Sequence, residues 1–166
     1  MNSNPTIILN EDDIQIKIKR ISLQILETCH SDDTIVIVGI EKNGFVLADK
    51  ISNELNRLSE QHILLGKVNI NKKNPLDTVS VSIQPETYRG KSLILVDDVL
   101  NTGSTLMFAA KHFLDVPLKQ FKTAVLVDRN HKKFPIKADF KGISLSTSLN
   151  ESVEVNFDSP ARAELI

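Results

Sequence analysis

Leu93–Thr105, which reads LILVDDVLNTGST, is the stretch whose reading decides the fold. It opens on a continuous apolar, β-favouring run, passes through two adjacent acids, Asp97 and Asp98, and closes on hydroxyl residues around Gly103. An apolar run without polar alternation suits a strand covered on both faces, as in a parallel sheet. Leu106, Ala109, Ala110 and Phe113 then recur at helical spacing. The reading is a buried strand over Ser92–Val96, a loop over Asp97–Gly103 and a helix beyond it.

Two further segments have the same character. Thr34–Ile40 (TIVIVGI) and Thr123–Val127 (TAVLV) are apolar and β-branched, and each ends in a short polar loop. Between them, Ala48, Ile51, Leu55 and Leu58 mark the buried stripe of a helix, and His62–Ile70 and Val79–Ile83 read as strands. Near the start, Thr6–Leu9 is a short apolar run. Asn10 caps a helix whose apolar stripe is Ile14, Ile18, Ile21 and Ile25. Pro85–Gly90 reads as a turn, and Ser152–Phe157 as an extended piece. Strand–helix alternation with buried strands predicts an α/β fold with a parallel central sheet flanked by helices. Ligands of such sheets bind outside the carboxyl ends of the strands. Glu41–Gly44, Asp97–Thr105 and Asp128–Lys133 should therefore open on one edge.

The chain has 166 residues, 41% hydrophobic and 25% charged, with a formal net charge of −1. That fits a single domain over 1–166 with a full core and gives no global basic field. Cys29 is the only cysteine, so no internal disulfide forms, and no Cys/His cluster has zinc spacing. Cys29 is expected to be inert. The first residues lack the basic-then-apolar order of a signal peptide. No apolar run reaches the roughly 20 residues of a membrane span. A cytoplasmic protein without membrane contact is the expectation.

The chemistry of the central loop follows from its order. Carboxylates at the end of a buried strand are costly unless donors or a cation meet them. Sugar hydroxyls are such donors, and Mg²⁺ is such a cation. Gly103 permits close approach of the backbone, and the amides at a new helix N-terminus favour an anion. Two acids for a diol, followed by a hydroxyl-rich cradle for a phosphate, describe a site for ribose 5-phosphate. Simple helix capping by the threonines would not account for the acid pair. Other phosphate motifs are excluded: Gly39 and Gly44 have Walker A spacing, but Phe45-Val46 follows where Lys-Ser/Thr is needed, and no GxGxxG occurs. The acid pair lies past mid-chain and no Lys-Pro exists, unlike the receiver domains of response regulators.

LILVDDVLNTGST resembles the phosphoribosyl pyrophosphate (PRPP) motif of type I phosphoribosyltransferases. TIVIVGIEKNGFVLADKI, LGKVNI and TAVLVDRNHKKFPIKADFKGISLSTS extend the resemblance, from Thr34 to about Phe157, to the bifunctional pyrimidine operon regulators that are also uracil phosphoribosyltransferases. The resemblance implies a sheet with a small hood. It implies transfer of phosphoribosyl from PRPP to a uracil-like base with release of pyrophosphate, Mg²⁺ as cofactor, and a homo-oligomer. Asp97 and Asp98 would take the ribose hydroxyls. Val99, Leu100, Asn101, Thr102, Gly103, Ser104 and Thr105 would form the loop around the 5-phosphate. Lys42, Asn43 and Gly44 would face pyrophosphate. Asp128 and Arg129 would lie near metal and pyrophosphate, with Asp97, Asp98 and Asp128 as candidate metal ligands. Lys72–Pro75 falls in the family's mobile loop, and Ser146 and Thr147 fall where its hood meets the base.

The chain departs from the family pattern at the pyrophosphate loop. The usual Lys-Thr-Arg-Gly is here Glu41-Lys42-Asn43-Gly44, which exchanges a cation for an acid and loses the fork of Arg. The mobile loop offers Lys72 and Lys73 in place of Tyr-Arg. Asn101 replaces an aromatic residue and Ser104 an Arg. These changes weaken the pyrophosphate end and leave an alternative function open: a non-catalytic regulator that senses nucleotides. RNA is the conceivable partner, since Lys119, Lys122, Arg129, Lys132, Lys133, Lys137 and Lys141 cluster in sequence. A solvated lysine face is the preferred reading of that run. Phe121, Phe134 and Phe140 read as core rather than as stacking platforms, and Leu23 stands where the regulators carry a polar RNA-contacting residue.

Overall fold

A computed structural model describes residues 5–166. Its main sheet has six strands in the order β4-β3-β2-β5-β6-β7. These are β2 (Thr34–Ile40), β3 (His62–Asn69), β4 (Ser80–Val81), β5 (Ser92–Leu100), β6 (Gln120–Asp128) and β7 (Phe140–Ser144). The strands from β3 to β7 along the sheet are parallel; only the two-residue edge strand β4 is antiparallel. The sheet is thus the expected parallel one, with a mixed edge.

Alternation along the strands sorts the core into two layers. Ile35, Ile37, Ile94, Val96, Ala124 and Leu126 pack with helices α1 (Glu11–Thr28) and α2 (Asn43–Leu58). Val36, Val38, Leu93, Leu95 and Val125 pack on the other face, against Tyr88 of the short helix α3 (Pro85–Tyr88) and the apolar stripe of α4 (Ser104–Phe113). Both faces are covered, which is why these strands read as unbroken apolar runs. Asn10 closes a reciprocal capping box with Asp13 at the start of α1.

A second, three-stranded antiparallel sheet forms the hood. Its order is β1 (Thr6–Leu9), β9 (Arg162–Leu165), β8 (Val153–Asn156). It joins the two ends of the chain.

Three local expectations are corrected. Asp97–Gly103 is not all loop: β5 continues to Leu100, because Asp97, Val99 and Leu100 still pair with Val125, Val127 and Asp128 of β6. Pro85–Gly90 is not a plain turn: Pro85, whose fixed φ suits a first helical position, starts α3. Phe134 is not core: it is 36% exposed and rests edge-on against Phe108 on the outer side of α4.

Candidate functional site

Since β2, β5 and β6 run parallel, their carboxyl ends meet on one edge, and the three predicted loops gather there. A cavity of about 370 Å³ opens between them. It is lined by the whole run from Asp97 to Leu106, with Lys72, Arg129, Ser152 and Val153.

The acid pair forms its floor. Asp97 is buried, accepts a hydrogen bond from the Asp98 amide at 2.9 Å, and faces Lys72 Nζ at 3.3 Å. Burial pushes its carboxyl up to about 8; the neighbouring Asp98 carboxylate adds to this and Lys72 opposes it. Asp98 is half-buried and accepts from Asn43 Nδ2 at 3.1 Å. The same Asn43 nitrogen donates to the Val155 carbonyl at 2.8 Å, which ties α2, the acid pair and the hood strand β8 together.

Gly44 makes this approach possible. A Cβ there would lie 2.9 Å from the Asp97 Cα, so a side chain would push α2 off the acids.

The far wall is the start of α4. Gly103 has φ 84°, a left-handed conformation, and no side chain caps the helix. The first amides of α4 have no acceptor one turn back, and they point with the helix dipole toward the cavity lined by Thr102, Ser104 and Thr105. The Ser104 amide meets Thr102 Oγ1 at 3.3 Å. Acids on the floor and the N-terminus of α4 on the wall form a bipolar pocket suited to a hydroxylated, phosphorylated sugar.

Not every predicted residue joins it. Asp128 is fully buried away from the cavity, with Lys132 Nζ at 3.3 Å, Lys141 Nζ at 3.5 Å and the Asn130 amide at 3.0 Å. Among the described residues no three His, Cys, Asp or Glu side chains form a metal-binding group. The expected trio of Asp97, Asp98 and Asp128 is therefore not assembled; the acid pair stands alone. A pair still fits Mg²⁺, which binds through one or two carboxylates and takes its other ligands from substrate phosphates and water.

Glu41 turns outward to Lys67, 3.0 Å away, and does not line the main cavity. With Lys42 it lines a separate polar cavity of about 310 Å³ beside Asn69 and Asn71. Lys42 is thus placed next to the main cavity rather than in it.

Lys119, Lys132, Lys137 and Lys141 all pair with carboxylates, and Arg129 is buried. Of the seven basic residues in that run, only Lys122 and Lys133 have no such engagement among the described residues.

Ser152 and Val153 were not anticipated as cavity residues. They reach the site because β8 pairs with β9, and β9 with β1, a long-range closure with no local sequence signal. Cys29 is buried, and burial together with the nearby Asp32 charge pushes its thiol up to about 11, which suppresses the reactive thiolate. No helix is long and apolar enough to cross a membrane among the described residues.

Comparison with known proteins matches residues 6–160 to the family model described as phosphoribosyl transferase domain. The chain is 34% identical over 174 residues to the Bifunctional protein PyrR of Haemophilus ducreyi, covering 96% of each chain. It is 36% identical over 158 residues to that of Clostridium acetobutylicum, covering 90% of this chain and 88% of the relative. Among solved structures, a hypoxanthine-guanine phosphoribosyltransferase from Bacillus anthracis superposes with a TM-score of 0.76 at 22% identity, over 99% of this chain and 97% of that one. The hypoxanthine phosphoribosyltransferase of Trypanosoma cruzi gives 0.74 at 17% identity, over 89% and 84%. At those identities the structural likeness speaks for the fold.

Proposed function

This chain belongs to the phosphoribosyltransferase family, and from that premise we propose that it transfers a phosphoribosyl group from PRPP to a nitrogenous base, a uracil-like pyrimidine, and releases pyrophosphate. One observation carries the reading: the acid pair of β5 and the uncapped N-terminus of α4 line one cavity at the sheet edge. In this reading Asp97 and Asp98 bind the ribose hydroxyls, and Thr102, Gly103, Ser104 and Thr105 hold the 5-phosphate. Asn43 and Gly44 shape the side where pyrophosphate leaves, with Lys42 and Lys72 as its cations. Mg²⁺ on the acid pair would neutralise leaving-group charge. Departure of pyrophosphate leaves a cation-like sugar, so positioning and charge stabilisation dominate and no protein nucleophile is required. The pyrimidine preference rests on the likeness to the bifunctional relatives. Cytoplasmic residence and association of copies of the chain rest on family resemblance.

A second reading, a nucleotide-sensing regulator without turnover, is favoured by one observation. Asn43 is committed to Asp98 and Val155, and Glu41 to Lys67, so this loop presents few free donors to pyrophosphate. Calorimetry with PRPP and Mg²⁺, beside uridine 5′-monophosphate, separates the two. Binding of both with base-dependent pyrophosphate release supports the transferase. Tight nucleotide binding without detectable PRPP binding would sink it in favour of the sensor.

A further inference from the structure

Arg129 stands at the end of β6, where the family resemblance would make it a pyrophosphate contact. Its guanidinium is already spoken for. Nη1 donates to Asn101 Oδ1 at 3.1 Å, on the 5-phosphate loop. Nε and Nη2 both donate to Thr147 Oγ1 at 3.1 Å, and Nη2 also reaches the Ser148 carbonyl at 3.4 Å and the Glu151 carbonyl. A guanidinium has five N–H donors. Nε has spent its one, Nη2 has three acceptors for its two, and Nη1 keeps a single hydrogen for a ligand. A residue in that state, 6% exposed, is unable to grip pyrophosphate with two parallel bonds.

What it joins is more informative. Asn101 belongs to the loop that cradles the phosphate. The segment 147–151 leads directly into Ser152 and Val153, which line the same cavity. The neighbours of Arg129 reinforce the span. His131 Nε2 lies 2.7 Å from the Thr147 carbonyl and 3.1 Å from its hydroxyl. The amides of Lys133 and Phe134 donate to the Thr102 carbonyl at 2.8 and 3.1 Å. Residues 129–134 therefore hold the hood segment with one hand and the phosphate loop with the other.

We propose that Arg129 and Asn101 form a latch that fixes the hood segment 147–153 against the 5-phosphate loop and thereby sets the base subsite. Arg129 is a positioning residue, acting on the base end through Thr147 and Glu151 rather than on pyrophosphate. The proposal rests on the ribose 5-phosphate reading of the cavity. It also gives Asn101 a role: its side-chain oxygen is the acceptor that completes the latch.

The test uses the full chain, with ribose 5-phosphate and uridine and inosine 5′-monophosphates as calorimetric probes. Arg129→Lys, Asn101→Ala and Thr147→Val are compared with Asn10→Ala, which opens the cap of α1 outside the cavity lining. The first three should weaken the nucleotide by about tenfold, the scale of one charge-assisted hydrogen bond. Ribose 5-phosphate, which has no base, should change by less than about twofold. Asn10→Ala should keep wild-type affinity, and hydrogen exchange at 147–153 should quicken only in the weakened variants. Equal losses for ribose 5-phosphate and nucleotide would overturn the latch and make Arg129 a direct phosphate ligand. Unchanged nucleotide affinity with unchanged exchange would overturn it too. Wild-type protein that binds no probe would overturn the ribose-phosphate reading instead, and the exchange comparison would then decide the latch alone. Should Arg129→Lys not fold, Asn101→Ala and Thr147→Val carry the same contrast.

Discussion

Replacing Asp97 by Asn should make the protein more stable at neutral pH while removing its ligand binding. In the folded chain burial raises this carboxyl from 3.8 to about 8, with Asp98 adding to the shift. Below about pH 4 the group is protonated in both folded and unfolded chains and costs nothing. As the pH rises from about 4 to 8 the unfolded chain releases the proton and the folded chain retains it, so stability falls across that window. At pH 7 the unfolded group lies about three units above its midpoint, at about 1.4 kcal/mol per unit, for a ceiling of about 4 kcal/mol. Relaxation and water entry reduce such figures, so about 2–4 kcal/mol is expected. Asn keeps the acceptor for the Asp98 amide and has no proton to lose. Denaturant unfolding of both proteins at pH 4.5 and 7.5 should show a gap that opens with pH in favour of the variant. Carboxylates away from the acid pair titrate alike in the two proteins and cancel. Parallel pH dependences would refute the argument, since they would mean that Asp97 ionises in the folded protein as easily as in the unfolded one.

Three further outcomes follow from the same geometry. Binding of PRPP with Mg²⁺ near pH 7 should release about one proton as a cation displaces it from Asp97, which calorimetry in buffers of different ionisation enthalpy would read. Gly103→Ala places a side chain at φ 84° and a Cβ 2.6 Å from Ile136 Cγ2; a loss of about 2–4 kcal/mol in thermal or denaturant unfolding is expected, with weaker phosphate binding. Asn10→Ala opens the capping box of α1 far from the cavity, and should cost about 1 kcal/mol of stability with ligand affinity unchanged by calorimetry.

How much of this was legible in the sequence depended on whether the signal was local. Ser92–Val96 and Thr34–Ile40 announced buried strands because a strand covered on both faces has no need of polar residues. The stripes Ile14–Ile25 and Leu106–Phe113 announced helices through their spacing, and the acid pair and Gly103 announced the site through the chemistry of three neighbouring residues. The end of β5 was misplaced because acids look like loop, yet Val99 and Leu100 keep their pairing with β6. The resemblance implied a hood, and Thr6–Leu9 and Ser152–Phe157 read as short pieces, but their pairing was not legible locally, since it depends on β1 and β9 meeting across the chain. Asp128 is a different case: the family resemblance made it a candidate ligand, and the fold brings Lys132 and Lys141 around it.

The pyrophosphate loop shows how such a departure is absorbed. An acid at position 41 would repel a dense anion if it faced the cavity. Here it swings to Lys67, which also sits 5.3 Å over the Phe45 ring, so the charge is answered on β3 and away from the main cavity. Asn43, short where the family has a long cation, bridges Asp98 to Val155 and holds the hood strand to the acids. The two substitutions therefore act together. At position 41 a cation gives way to an acid that turns aside to Lys67, and at position 43 Asn serves as an internal brace. The internal brace holds β8 at Val155, while the Arg129 latch holds the segment that precedes it at Thr147, Ser148 and Glu151. A hood held that way favours recognition of the base and sugar over capture of pyrophosphate, which is the balance that the paired titrations with PRPP and nucleotide are designed to measure.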